Sequence, residues 1–179
     1  MNPGIRFLAA LLALAGAPAF AASAPQVARI HVAPEVPVEP VQVRIPRYTL
    51  KDKEREIIAA CLVLEAASQG DFGMRGVMSV IRNRARGLPE LFAPVVLRPK
   101  QFSALNKIGA GRETIAQVIA RAKRDRMWPV ALRVVDDAVL DTWHDSTGGA
   151  THYTRTGERT PWTRSLANTV TIGSHAFYR

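Results

Sequence analysis

Glu65 stands where a carboxylate is out of place. In the stretch from Leu50 to Gly70, LKDKEREIIAACLVLEAASQG, residues Ile57, Ile58 and Cys61 recur at helical spacing and mark a core-facing stripe of an amphipathic helix. Glu65 follows Cys61 by four residues and Ile58 by seven, so it falls on the same stripe. Desolvation disfavours the ionised form of such a group, and the partial negative charge of a helix C-terminus acts the same way. Glu65 is therefore expected to titrate high and to serve as a general acid. The competing reading is a carboxylate at the core edge that pairs with an arginine.

Other residue types able to do chemistry form weaker patterns. His31 lies in a proline-rich stretch, and His144, His152 and His175 come without an HExxH motif, Cys/His pair spacing or an Asp-rich loop, so no metal site is expected. Cys61 is the only cysteine and lies on the helix stripe, which fits a small buried hydrophobe better than a nucleophile, and no GxSxG occurs. Gly109 and Gly111 follow no clear strand and match no phosphate-binding pattern, which argues against a nucleotide cofactor. Gln101, Phe102 and Ser103 place an amide, an aromatic ring and a hydroxyl in a loop, as a ligand-facing segment would.

The elements that must position these groups can be read from period and punctuation. Thr49 followed by Asp52 resembles a capping box for the Glu65 helix, and Gly70 is placed to end it. Asp71 can cap a second helix packed through Met74, Val77, Met78, Ile81 and Ala85, with Gly87 and Pro89 as its stop. The other face carries Arg75, Arg82, Arg84 and Arg86, read as solvated or turned to an anionic surface. Pro89, Pro94 and Pro99 leave room for one short helix around Glu90 to Leu97. A helix over Glu113 to Lys123 would pack through Ile115, Val118, Ile119 and Ala122; another from Pro129 would turn Leu132, Val135, Val139 and Trp143 inward.

After Trp143 the period changes from helix to strand. Ala150 to Thr154 can form a short strand, and Thr156 to Arg159 a turn. Thr169 to Ile172 and His175 to Tyr178 flank Gly173-Ser174, the chemistry of a type II′ hairpin. The fold class is thus α+β, a helical core followed by a small C-terminal antiparallel sheet.

Composition sets the context. The chain has 179 residues. Residues 1–22 combine Arg6, an apolar run from Phe7 to Ala15 and small residues at Ala19 and Ala21, the pattern of an export signal; a retained anchor is the alternative. Residues 23–48 hold Pro25, Pro34, Pro37, Pro40 and Pro46 and read as an extended spacer. Residues 49–179 form one domain, expected to be monomeric, with no membrane span once the signal is removed. In an oxidising compartment a single cysteine offers no internal disulfide, so the core alone must hold the fold. This domain carries 20 basic and 13 acidic residues, a net +7. Such a charge favours an anionic polymer: nucleic acid, anionic lipid or cell wall.

Four blocks carry a resemblance. LVLEAASQGDFGMRGVMSVIRNRARG, KQFSALN, DSTGGATHYTRTGERTPWTRS and TIGSHAFYR resemble successive segments of the SleB-type cell wall hydrolase family, which includes spore-cortex-lytic enzymes and peptidoglycan-cleaving relatives from bacteria and phage. The likeness runs from about Ile57 to the C-terminus. It implies a lysozyme-like α+β domain that acts on peptidoglycan glycan strands without a cofactor and with no nucleic-acid partner, and the export signal leads to the expectation of a place in the periplasm, in the cell wall or outside the cell. It also implies that the family's catalytic Glu, followed by Ala, corresponds to Glu65-Ala66. Family members often carry a second acidic residue shortly afterwards, where this chain has Ala67-Ser68-Gln69-Gly70.

Lytic transglycosylase chemistry, which the resemblance implies, needs one acid rather than the usual pair. The expected products are therefore 1,6-anhydromuramoyl ends. A hydrolytic muramidase would recruit a second carboxylate, for which Asp71, Glu90, Asp145 and Glu158 are available. A non-catalytic basic module binding wall or nucleic acid is the reading from a different class. For a sugar substrate the expected contacts are Gln101, Phe102 and Ser103 from the loop and His152 and Tyr153 from the first strand, because sugars present an apolar face and a hydroxyl rim.

Overall fold

The computed structural model describes residues 48–140 and 142–179. The expected signal segment and most of the proline-rich spacer lie outside the described residues.

The fold is built round its first helix. Helix α1 (Asp52–Ala66) buries Ile57, Ile58, Ala59, Ala60, Cys61, Leu62, Val63 and Ala66, which is more than one stripe. A helix apolar on nearly every side is an interior helix rather than an amphipathic surface one. The reason is its neighbours, since α2 (Gly70–Arg84), α3 (Phe92–Leu97), α5 (Ile115–Ala122) and α6 (Trp128–Ala138) all pack on it. Between α3 and α5 lies only the single turn α4 (Asn106–Gly109). Truncating a core side chain of α1 such as Leu62 to Ala is worth about 2–5 kcal/mol of stability.

The ends of α1 differ from expectation. Thr49 makes no cap; the helix starts at Asp52, and the Lys51 N–H donates to the Glu54 carboxylate at 3.1 Å. At the other end the helix stops at Ala66, and a 3₁₀ turn (Ala67–Gln69) links it directly to α2. Gly70, with φ +68, opens α2 instead of closing α1. Asp71 does not cap it either, for its carboxylate accepts from Arg75 one turn on.

Helix α2 buries Met74, Val77, Met78 and Ile81 as its period predicts, with Ala85 just beyond. Three of the four arginines are not a solvated face, while Arg86, just beyond the helix, is exposed. Arg75 is held by Asp71 and by Asp137 of α6 and lies 5.5 Å from the centre of the Trp143 ring. Arg82 reaches the Ala138 carbonyl, and Arg84 the Thr151 carbonyl. These guanidinium groups join α2 to α6 and to the segment that follows it.

Helices α5 and α6 both run shorter than their patterns. Thr114 caps α5 through the Gln117 N–H, and Val118, Ile119 and Ala122 are buried while Ile115 stays 40 % exposed. In α6 the buried face is Ala131, Val134, Val135 and Ala138, with Leu132 and Val139 only partly covered. Small residues win because α6 lies against α1 and α2 together, and Ala permits the closer approach.

Three strands complete the fold in the order β1-β3-β2, all antiparallel: β1 (His152–Arg155), β2 (Asn168–Ile172) and β3 (His175–Tyr178). The hairpin has the expected two-residue turn. Ile172 pairs with His175, and within the turn only Gly173 has positive φ, +57, as type II′ requires. Pairing of β1 along the far side of β3 sets Tyr153 opposite Phe177 and His152 opposite Tyr178. The sheet closes on α2 through Val80, Ala150 and Phe177.

Candidate active site

Glu65 occupies the last turn of α1, half-buried, on a cleft of about 670 Å³. The expectation of a carboxyl facing the core is corrected here. Helix α1 is enclosed along its middle, but its end emerges where the sheet and the 101–104 loop leave a gap. Three donors hold the carboxylate. Oε1 accepts from the Ser103 hydroxyl at 3.0 Å and the Ala104 N–H at 2.8 Å, and Oε2 accepts from the Tyr153 hydroxyl at 2.9 Å.

Each donor has a local origin. Phe102 is extended (φ −133, ψ 126), and Ser103–Leu105 then form a 3₁₀ turn whose first N–H groups lack partners within the turn. One of these, from Ala104, takes Glu65. Tyr153 comes from β1, where its ring sits among His175, Phe177 and Phe102 at centroid distances of 4.9, 5.7 and 6.4 Å. Burial first, and then the negative charge of Glu65, push the Tyr153 phenol well above its ordinary range, so it keeps its proton.

The cleft assembles residues that are distant in the chain. Gln101, Ser103, His152 and Tyr153 line it. Phe102 does not; it is 2 % exposed and belongs to the core, because the extended backbone at 102 turns its ring under the Arg84 guanidinium and against Tyr153. Its part is to support Tyr153.

One aromatic cleft residue escaped the sequence analysis, and one of the candidate second acids joins it there. Trp162, from the 3₁₀ turn Pro161–Arg164, stacks 5.2 Å from the His152 ring and presents an aromatic surface to the cleft. A tryptophan between Pro161 and Thr163, in a run of polar residues, was the signal available. Glu158 also lines the cleft and accepts from the Thr154 hydroxyl at 2.8 Å. Arg84, Lys100, Thr154, Arg155, Thr160 and His175 complete the charged and polar lining.

His175 is tied to the end of α1 by Gln69. The Gln69 Oε1 accepts from the Ser174 N–H at 3.0 Å, which turns its amide nitrogen toward the histidine, 3.0 Å from Nδ1. Gln69 therefore braces the hairpin turn. Burial holds the His175 imidazole below its ordinary pKa, aided by Arg155 and opposed by Glu65 and Glu158. Burial and Arg84 lower His152 in the same sense.

The remaining candidate acids are otherwise engaged. Asp145 accepts from the Thr147 N–H and hydroxyl, the Gly149 N–H and the Asn83 amide. Burial opposes its charge, yet these four bonds hold it below the usual carboxylate range. It organises the STGG turn that launches β1. Asp71 is paired with Arg75, and Glu90 is exposed and outside the cleft lining. Cys61 is fully buried, and burial followed by the charge of Glu65 pushes its thiol up, so it is an inert core residue.

Comparison with known proteins places this arrangement. The catalytic domain of the germination-specific lytic transglycosylase SleB from Bacillus anthracis is 20 % identical, with a TM-score of 0.55 over 75 % of this chain and 100 % of that one. The catalytic domain of the Bacillus cereus SleB protein is likewise 20 % identical, with a TM-score of 0.54 over 79 % of this chain and all of that one. These likenesses show a shared α+β, lysozyme-like fold. No curated protein matches the chain. A family model described as Cell Wall Hydrolase matches residues 68–178, beginning three residues after Glu65 and taking in the loop, the STGG turn and all three strands. The chain is an enzyme that belongs to the cell wall hydrolase family.

Proposed function

We propose that this enzyme cleaves peptidoglycan glycan strands between N-acetylmuramic acid and N-acetylglucosamine as a lytic transglycosylase, with Glu65 as its single acid and base. The observation that carries this reading is the three-donor cradle of Glu65 on the cleft. Oε1 faces a fixed N–H, whereas Oε2 faces only the Tyr153 hydroxyl, which can reverse from donor to acceptor. Oε2 is thus the atom suited to carry the transferable proton.

In the reaction, protonated Glu65 gives its proton to the glycosidic oxygen as the C1–O bond breaks. The resulting carboxylate takes the proton of the muramoyl C6 hydroxyl, and O6 bonds to C1 of the same sugar. The acid is regenerated, no water is consumed, and intramolecular attack is favoured entropically. Trp162 offers an aromatic face for a sugar ring, with Gln101, Ser103 and His152 along the hydroxyl rim. An export signal over 1–22 and a spacer over 23–48 would deliver the domain to the wall.

A second reading, hydrolysis, has one observation in its favour: Glu158 lines the cleft with Glu65. Mass spectrometry of digested sacculi separates the two, since an anhydro end lacks the water that a reducing end retains. Anhydromuramoyl ends are expected; reducing ends alone would sink transglycosylation and point to Glu158 as the group that activates water.

A further inference from the structure

Among the described residues the three cleft cations Arg84, Lys100 and Arg155 form no ion pair, and Arg84 alone of them is half-buried. Arg84, in the last turn of α2, is half-buried beneath the cleft surface with its guanidinium 5.3 Å from the centre of the Phe102 ring. Its Nε donates to the Thr151 carbonyl at 2.7 Å and its Nη1 reaches the Gln101 carbonyl at 3.5 Å. A guanidinium has five N–H donors. Among the described residues the other three find no acceptor, and no carboxylate stands within ion-pair distance of Arg84. Arg55, Arg75 and Arg121, by contrast, are each paired with an acid.

Burial lowers the Arg84 guanidinium, the nearby Arg98 acts in the same direction, and the Tyr153 and Cys61 groups oppose them. Partial burial strips the cation of part of its hydration, which an arriving anion would replace. Two bonds to carbonyls fix the group in place, and its remaining edge is open to the cleft. Such a fork matches a carboxylate in two-point geometry. Lys100 and Arg155 line the same cleft, so three cations face the two acids Glu65 and Glu158 there.

We propose that Arg84, with Lys100 and Arg155, binds a carboxylate of the substrate beside the scissile linkage, so that the cleft selects carboxylated muramoyl strands over neutral amino-sugar polymer. This rests on the glycan-cleaving reading above. The carboxylate has two sources: the lactyl acid of a muramic residue stripped of its peptide, or the acids of an attached stem peptide.

The test uses soluble glycan strands with stems, and strands stripped by an amidase, each before and after methyl esterification. Wild-type enzyme is expected to show a KM about tenfold higher on the esterified strands, a preference that weakens with salt. Arg84→Gln should erase the preference and Arg84→Lys should restore part of it. Whichever free-acid strand shows the larger ester effect names the source. Equal KM values for acid and ester in the wild type, or an equal loss on both in Arg84→Gln, would overturn the proposal. Should Arg84→Gln fail to fold, the double variant Lys100→Gln/Arg155→Gln must shrink the preference several-fold, and an unchanged preference overturns it. Calorimetric binding of the same strands to Glu65→Gln keeps the two readings apart. Absence of wild-type cleavage would remove the proposed function, whereas an affinity indifferent to esterification would remove the carboxylate site.

Discussion

The Tyr153 hydroxyl donates to Glu65 Oε2 at 2.9 Å across 88 residues of sequence. This bond joins the first helix of the domain to the first strand of its sheet, and it makes the geometry of the candidate acid depend on the packing of both. The expected consequences can be measured separately.

Glu65→Gln should lower glycan cleavage by roughly 10²–10⁴-fold, the range of general acid–base catalysis, because Gln keeps the volume and loses the transferable proton. Thermal unfolding should stay within about 1 kcal/mol of the wild type. Release of soluble muropeptides at the wild-type rate would remove Glu65 from the mechanism.

Tyr153→Phe retains the ring among His175, Phe177 and Phe102 and removes only the hydroxyl. The stability cost should be about 1 kcal/mol. Turnover should fall by about tenfold with little change in KM, since Tyr153 acts by orienting Glu65. A change confined to KM would instead make Tyr153 a substrate contact.

Gly76→Ala tests how closely α2 and the sheet approach. A Cβ at position 76 would lie 2.7 Å from Phe177 Cζ and 3.3 Å from Ile172 Cδ1. Overpacking of this kind costs about 1–3 kcal/mol. Urea unfolding should show it as a lower midpoint with an unchanged slope, and an unshifted midpoint would contradict the contact.

Stability should fall in mild acid through His152 and His175. Both have folded-state pKa values below 6.5, so the unfolded chain binds more protons in the window just under that value. Their contribution is complete above pH 6.5 and is lost as pH falls from there toward the lowered values. Replacing His175 by Gln should flatten the slope of unfolding free energy against pH below 6.5, as measured by denaturant titration at a series of pH values. An unchanged slope in that variant would show that His175 does not titrate as burial requires.

Asp145→Ala should destabilise the domain by about 3 kcal/mol, because the N–H groups of Thr147 and Gly149 and the Asn83 amide all lose their acceptor. Cleavage per folded molecule should survive, since Asp145 lies outside the cleft lining. Complete inactivity of a folded variant would mean that the acid does more than build its turn.

Local rules fixed much of this molecule before any tertiary contact was considered. The 3.6-residue period of Met74, Val77, Met78 and Ile81 marked α2, and Gly173-Ser174 between two alternating runs marked the hairpin, because both signals live within a few residues of backbone. The charge at Glu65 stood out for the same reason, as a departure from a local apolar pattern.

What local sequence could not carry was adjacency. Whether α1 is buried on one side or on nearly all depends on four other helices, and the order β1-β3-β2 depends on which edge of β3 remains open. The chain between Thr49 and Asn83 gives no sign that Arg84 will reach the carbonyls of Gln101 and Thr151, or that Glu158 will share a cleft with Glu65. Side chains of one element point where its own period directs them, but a site is made of the gap between elements. The width and charge of that gap are set by how whole helices pack against a sheet, so Glu65 was legible in the sequence as an out-of-place carboxylate, while its cradle, its neighbouring cations and the burial of Phe102 were decided only by the fold.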